Sequence, residues 1–174
     1  MHCSLFVVYN EMTDIDTFAA DDIYDDLYRF NGADYTDEID NSDEEEIGAI
    51  IHNWLDDFNV KIEKKPIPVN SGAIDACWDV TIPVSTMQKY LQKNIETIAK
   101  KSRKIADRTE PISSLEMYEL KELIDDRFGA VFFSPEEGSY DSLQEYFCGL
   151  VRWASENGKT EVTVHITQVF DYHI

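Results

Sequence analysis

The chain has 174 residues, 43% of them hydrophobic and 12% aromatic, and carries 35 acids against 15 lysines and arginines for a formal charge of −20. That length and apolar share suffice for one domain with a real core and argue against global disorder. The charge excludes bare nucleic acid and anionic membrane surfaces as natural partners, because like charge repels like.

In chain order, "CSLFVVY" (3–9) is short, apolar and β-branched, and predicts a strand buried on both faces. Ile23, Leu27 and Phe30 repeat at helical spacing and predict a short helix over 21–30, with Asp21/Asp25 and Asp22/Asp26 as like-charged i, i+4 neighbours on its outer side. "FNGADYTDEIDN" (30–41) reads as a loop turning at Asn-Gly. Ser42 with Glu45 forms a capping box for a helix whose apolar face runs Ile47, Ile50, Ile51, Trp54, Leu55 and Phe58. Residues 60–69 and 73–82 predict a β-hairpin, the second strand alternating Ile74, Ala76, Trp78, Val80 and Ile82 onto one face. Ser85 is the expected cap of a long helix to about Asp107, with Met87, Leu91, Ile95, Ile98, Ser102 and Ile105 inward and its bases gathered toward the C-terminal end.

A helix opening at Ser113 or Ser114 and ending near Gly129 turns Leu115, Tyr118, Leu123 and Ile124 inward. "AVFF" (130–133) predicts a buried strand. A further helix is expected from about Ser139 to the Asn-Gly at 157–158, and "EVTVHITQVF" (161–170) alternates as a final strand. The irregular order of these elements predicts an α+β fold, a mixed or antiparallel sheet of about four to five strands packed with about four to five helices in a single domain. No apolar stretch is long enough to span a membrane, and "MHCSLFVVYNEM" lacks the basic start of a signal peptide. Cys3, Cys77 and Cys148 are widely spaced with no CxxC pair, which fits free thiols in a reducing compartment. A cytoplasmic location is expected.

The charge is unevenly distributed. Residues 1–58 hold 17 acids against one base, Arg29, whereas residues 84–110 hold seven bases against three acids. Adaptation to salt would spread the acids over the whole chain. Chemical motifs are scarce: there is no GxGxxG, P-loop, HExxH or GxSxG. The aspartate-rich stretches beginning at Asp14 and Asp40 lack the glycine a calcium loop needs at its sixth position. His2, His52, His165 and His173 read as surface or boundary histidines, His165 pointing outward from the last strand. No catalytic residue, metal ligand or cofactor is expected.

An exposed helix needing only solubility would alternate Glu with Lys and gain a few tenths of a kcal/mol per pair, whereas stacked aspartates cost a similar amount. A local cost without a folding return points to function. Carboxylates one helical turn apart lie roughly 5–6 Å from each other at Cβ, near the spacing of phosphates along a strand, and aromatics among them supply contact area. In size, charge and Asp/Glu patterning the chain resembles, as a class, the small acidic DNA-mimic inhibitors, including anti-restriction and anti-CRISPR proteins of phages and mobile elements.

That resemblance implies a basic nucleic-acid-binding protein or nuclease as partner, no direct contact with nucleic acid or membrane, and the cytoplasm of a host cell as setting if phage-encoded. The expected partner-binding residues are Asp21, Asp22, Tyr24, Asp25, Asp26, Tyr28, Asp34, Tyr35, Asp37, Glu38, Asp40, Asp43, Glu44 and Glu46. The alternatives are an immunity protein or antitoxin against a basic nuclease toxin, and a carboxylate-metal-dependent enzyme. The basic end of the long helix, Lys100 to Arg108, is a candidate for neutralising the acidic region within one chain or across a homodimer.

Overall fold

The computed structural model describes residues 2–9, 20–31, 33–39, 44–55, 58–66, 76–125 and 129–173. They form an α+β fold with five helices and one mixed sheet of seven strands, more strands than the sequence alone suggests. In chain order the elements are β1 (His2–Tyr9), α1 (Ala20–Asn31), β2 (Tyr35–Glu38), α2 (Glu44–Leu55), β3 (Lys61–Pro66), β4 (Ala76–Pro83), α3 (Val84–Ala106), α4 (Ser114–Asp125), β5 (Ala130–Ser134), β6 (Ser139–Ser142), α5 (Leu143–Glu156) and β7 (Glu161–His173). The strand order is β3-β4-β7-β1-β5-β6.

β7 organises the sheet. Its first half, Glu161–Ile166, pairs antiparallel with β4, and its last residues, Phe170–His173, pair with β2 on that same side, while β1 runs along the other. β1 and β5 are parallel. Between Val7 and Val8 the register with β7 shifts: Val7 partners Gln168 but Val8 partners Ile166, leaving Thr167 as an extra residue. Such a bulge re-aims the side chains that follow it. Here it changes which residues of β7 lie under which helices.

One face of the sheet is mainly apolar. Phe6, Val8, Val80, Ile82, Phe132, Val162, Val164 and Ile166 pack there against Ile47, Ile51 and Leu55 of α2, Val84 and Met87 of α3, and Phe147, Leu150 and Ala154 of α5. Phe147 meets both Phe58 and Tyr90 edge-on, with centroids 4.9 and 5.7 Å away. α2 is fixed by Trp54, whose Nε1–H donates to Ser4 Oγ at 3.1 Å while its ring lies on Gly129. Gly129 has φ +141°, and a Cβ there would come within 2.7 Å of the indole, so only glycine lets α2 sit this close. On the opposite face Ile23 and Leu27 of α1 pack with Leu5, Val7, Val131, Phe133, Phe170 and Tyr172. α1 and α2 therefore lie on opposite faces of the sheet.

Several expectations are corrected. The stretch 30–41 is not wholly a loop, since Tyr35–Glu38 is a strand. Residues 139–142 are strand β6, and α5 starts at Leu143 behind a capping box of Ser142 and Glu145. Both short strands are polar and owe their existence to the neighbour they pair with. The last strand runs on to His173. α3 is preceded by Pro83 rather than capped by Ser85, because Thr86 Oγ1 donates to the Pro83 carbonyl and Pro83 already supplies the extended entry.

At 23 residues α3 spans roughly 35 Å by its rise per residue, longer than the sheet can cover, and only Val84 and Met87 are buried. Ile95 is exposed, as are Leu115, Tyr118 and Ile124 of α4. α4 is held to the end of α3 by Lys101–Glu119 and Arg108–Glu116 ion pairs, and Ser113 caps it with Glu116 in return. The expected Ser42–Glu45 box, Ile74 and the ends of the hairpin strands beyond Pro66 and before Ala76 lie outside the described residues. Among the described residues no helix is long and apolar enough to cross a membrane.

Candidate functional site

The expected acidic set divides by position. Asp22, Asp25 and Asp26 lie on α1, and Asp34, Tyr35, Asp37 and Glu38 on or beside β2. The two elements adjoin: Ala33 N–H donates to the Leu27 carbonyl and Asp34 N–H to that of His173. Asp22, Asp25, Asp34, Asp37 and Glu38 are exposed, Asp26 and Tyr24 half-buried. Tyr28 is 70% and Tyr35 50% exposed, large apolar rings standing in an anionic surface. Arg29, the sole base of residues 1–58, is paired with Asp25 at 3.4 Å. Glu46 is exposed on α2, in the layer on the other side of the sheet, so it does not join this surface directly. Asp40 and Asp43 lie outside the described residues, and of Asp21 and Glu44 only the helical backbone is described.

These acids are not idle in folding, which corrects the expectation that they return nothing to it. Tyr140 O–H donates to Asp26 across 3.3 Å, Gln168 Nε2–H to Glu38 across 2.9 Å, and Tyr35 O–H to Asp37 across 3.0 Å. His173 Nδ1 lies 2.8 Å from Asp34 Oδ1. Burial, the charges of Asp26 and Asp22 and the Asp26 hydrogen bond push the Tyr140 hydroxyl well above its ordinary range, and the His173 hydrogen bond holds Asp34 below the usual carboxylate range. Three of these four partners lie more than 100 residues away along the chain, which is why local spacing misses them. At exposed positions such contacts contribute little stability. Their larger effect is to hold the carboxylates in fixed places.

The basic end of α3 does not reach this surface through its described ion pairs, which Lys101 and Arg108 make with α4.

A second group was not expected from sequence. On β4 the residues that alternate away from the helices are Cys77, Asp79 and Thr81, and on β7 Thr163 and His165. Asp79 is directly opposite His165, Lys65 of β3 opposite Cys77. His165 Nδ1 lies 2.6 Å from Asp79 Oδ1, Cys77 Sγ lies 3.6 Å from the same oxygen, and Lys65 Nζ donates to Asp79 Oδ2. Cys77 and Asp79 are buried and His165 is half-buried, on the face that its alternation predicts; what the sequence did not show is that it meets Asp79 there.

Burial alone would push the Asp79 carboxyl up, but the hydrogen bonds from Lys65 and His165 outweigh it and hold it below the usual range. Burial and the Asp79 charge push the Cys77 thiol up to about 11. A thiol so held is no nucleophile at neutral pH. The alternating polar positions of two strands were visible in the sequence; that the strands are neighbours was not.

His165 also borders a cleft of about 980 Å³ beyond the end of β1, where β7 has no strand beside Glu161–Val164. Asp141, Glu137, Glu145, Tyr146 and Trp153 line it as well. Burial, with the charges of Glu145 and Glu137, holds Asp141 above the usual carboxylate range.

No protein-family model matches the chain, and no curated protein or solved structure matches it either.

Proposed function

We propose that the protein is an acidic inhibitor whose α1–β2 surface occupies the positively charged nucleic-acid-binding groove of a partner protein in the cytoplasm. The observation that supports this most is the exposure of Tyr28 and Tyr35 among Asp22, Asp25, Asp34, Asp37 and Glu38, with Arg29 the sole lysine or arginine of residues 1–58. Exposed tyrosines supply contact area that is desolvated on docking, and fixed carboxylates supply charge complementarity and a fast, salt-sensitive encounter. Preorganisation by Tyr140, Gln168 and His173 lowers the entropy lost on binding.

The test is capture from a host lysate at low salt on the immobilised full chain, eluted by a salt gradient. A nucleic-acid-binding protein should be retained, be displaced by added duplex DNA, and be lost with a variant carrying Asp22→Asn, Asp25→Asn, Asp34→Asn and Asp37→Asn together. Retention by that variant at the same salt, or indifference to DNA, would sink the reading. A captured nuclease toxin would identify the same surface as that of an immunity protein.

A further inference from the structure

We infer that Cys77, Asp79 and His165 form a binding site for one zinc-like divalent ion, independent of the acidic α1–β2 surface. Their donor atoms all lie within 4.8 Å of one another, the only such group of His, Cys, Asp or Glu among the described residues. They come from two strands in register, with Asp79 opposite His165 and Cys77 two residues before Asp79 on the same face. A β-sheet holds such positions rigidly, so the convergence is built into the backbone and does not depend on a loop.

Zinc takes thiolate at about 2.3 Å and imidazole or carboxylate at about 2.0–2.2 Å, so two tetrahedral ligands stand roughly 3.3–3.5 Å apart when both are nitrogen or oxygen and about 3.6 Å when one is sulfur. The sulfur and Oδ1 of Asp79 are already 3.6 Å apart. Nδ1 and Oδ1 lie 2.6 Å apart, a hydrogen-bonded distance that opens by under about 1 Å when an ion replaces the proton between them.

The donor chemistry selects the metal. A thiolate with an imidazole favours zinc and its first-row neighbours over magnesium or calcium, which want oxygen alone. On binding, the thiol proton leaves to water, His165 ligates as the neutral tautomer with its proton on Nε2 (any second imidazole proton also leaving to water), and thiolate and carboxylate together balance the ion's two charges. The Lys65 ammonium on the other Asp79 oxygen then serves as the outer partner that orients a ligating carboxylate. Lys65 and His165 already satisfy the buried carboxylate, and the weakly donating Cys77 thiol converges on the same oxygen as His165. Three protein donors leave one tetrahedral position, as in sites that admit an exchangeable ligand.

The experiment is a titration of the metal-free full-length chain with Co²⁺, followed by absorption. A saturable sulfur-to-cobalt charge-transfer band at one equivalent per chain, displaced by Zn²⁺ and unaffected by excess Mg²⁺, is expected. Cys77→Ser should abolish the band and His165→Gln weaken binding at least about tenfold, the loss already typical of outer partners; circular dichroism of both variants checks that they fold. Cys148→Ser and Asp22→Asn should leave the titration unchanged. No charge-transfer band in the wild-type chain, or a band that follows Cys148 rather than Cys77, would overturn the assignment.

Discussion

Asp79 and Asp141 sit on the same sheet, on opposite faces, and their carboxyls are driven in opposite directions. Asp141 pairs in register with Phe132 and so shares the apolar face covered by α2, α3 and α5. Its neighbours there are Glu137 and Glu145, and burial with like charge raises it. Asp79 faces away from those helices, where Lys65 and His165 donate to it and lower it. The lesson concerns the faces more than the two residues: the helix-covered side is built to bury carbon, and the part of the other side that α1 leaves uncovered is built to hold charge in fixed geometry.

The largest effect should come from the apolar side. Phe147→Ala removes a fully buried ring from its contacts with Phe58 and Tyr90, and about 3–5 kcal/mol of stability should go with it. Urea denaturation measures it, with an unchanged slope if the fold is otherwise kept. A loss below about 1 kcal/mol would mean that this face is not one continuous core.

How much of this division was legible depends on the residue. β1, α1, α2, β4 and β7 announce themselves through runs such as Leu5–Tyr9 and alternations such as Val80 and Ile82, because burial on one or both faces sets the pattern. Strands β2 and β6, "YTDE" and "SYDS", carry no such pattern; Thr36 and Ser142 are buried only because β7 and β5 lie beside them. The apolar stripe of α4 misleads in the other direction, since Leu115 and Tyr118 repeat at helical spacing yet stand exposed beyond the reach of the sheet. For the sites the same rule holds. The acids of α1 were plain from their spacing, whereas Cys77, Asp79 and His165 meet across 86 residues between Asp79 and His165, and only strand pairing brings them together.

A smaller effect sharpens the polar side. Asp79→Asn keeps the shape but removes the charge that Lys65 and His165 surround. With Lys65 53% exposed and able to turn to water, the cost at neutral pH should be about 1–2 kcal/mol, around the lower end of the roughly 1.5–3 kcal/mol of hydrogen bonds to charged groups. The sign with pH follows from the lowered folded pKa. The stabilisation is present above the unfolded value of about 3.9 and is lost as pH falls through the folded value, so wild type and variant should converge in acid. Melting curves of the metal-free proteins from pH 7 into the acid range read this directly; a gap that fails to close at the acid end would break the pairing argument.

Asp141→Asn should act in the reverse sense and most weakly. The folded carboxyl titrates above its unfolded value of about 3.9, so the native state at neutral pH carries a charge it would rather lose, beside Glu137 and Glu145. That penalty is absent below the unfolded value and grows as pH rises through the folded one. The amide removes it while keeping the shape of the side chain. The variant should therefore melt slightly above wild type at pH 7, with the advantage shrinking to nothing toward pH 4. Parallel pH series on the two asparagine variants set the faces against each other: one should lose stability at neutral pH, the other gain it, and both should merge with wild type in acid. Two curves displaced in the same direction would show that the carboxylates feel the −20 charge of the whole chain more than the face on which each one sits.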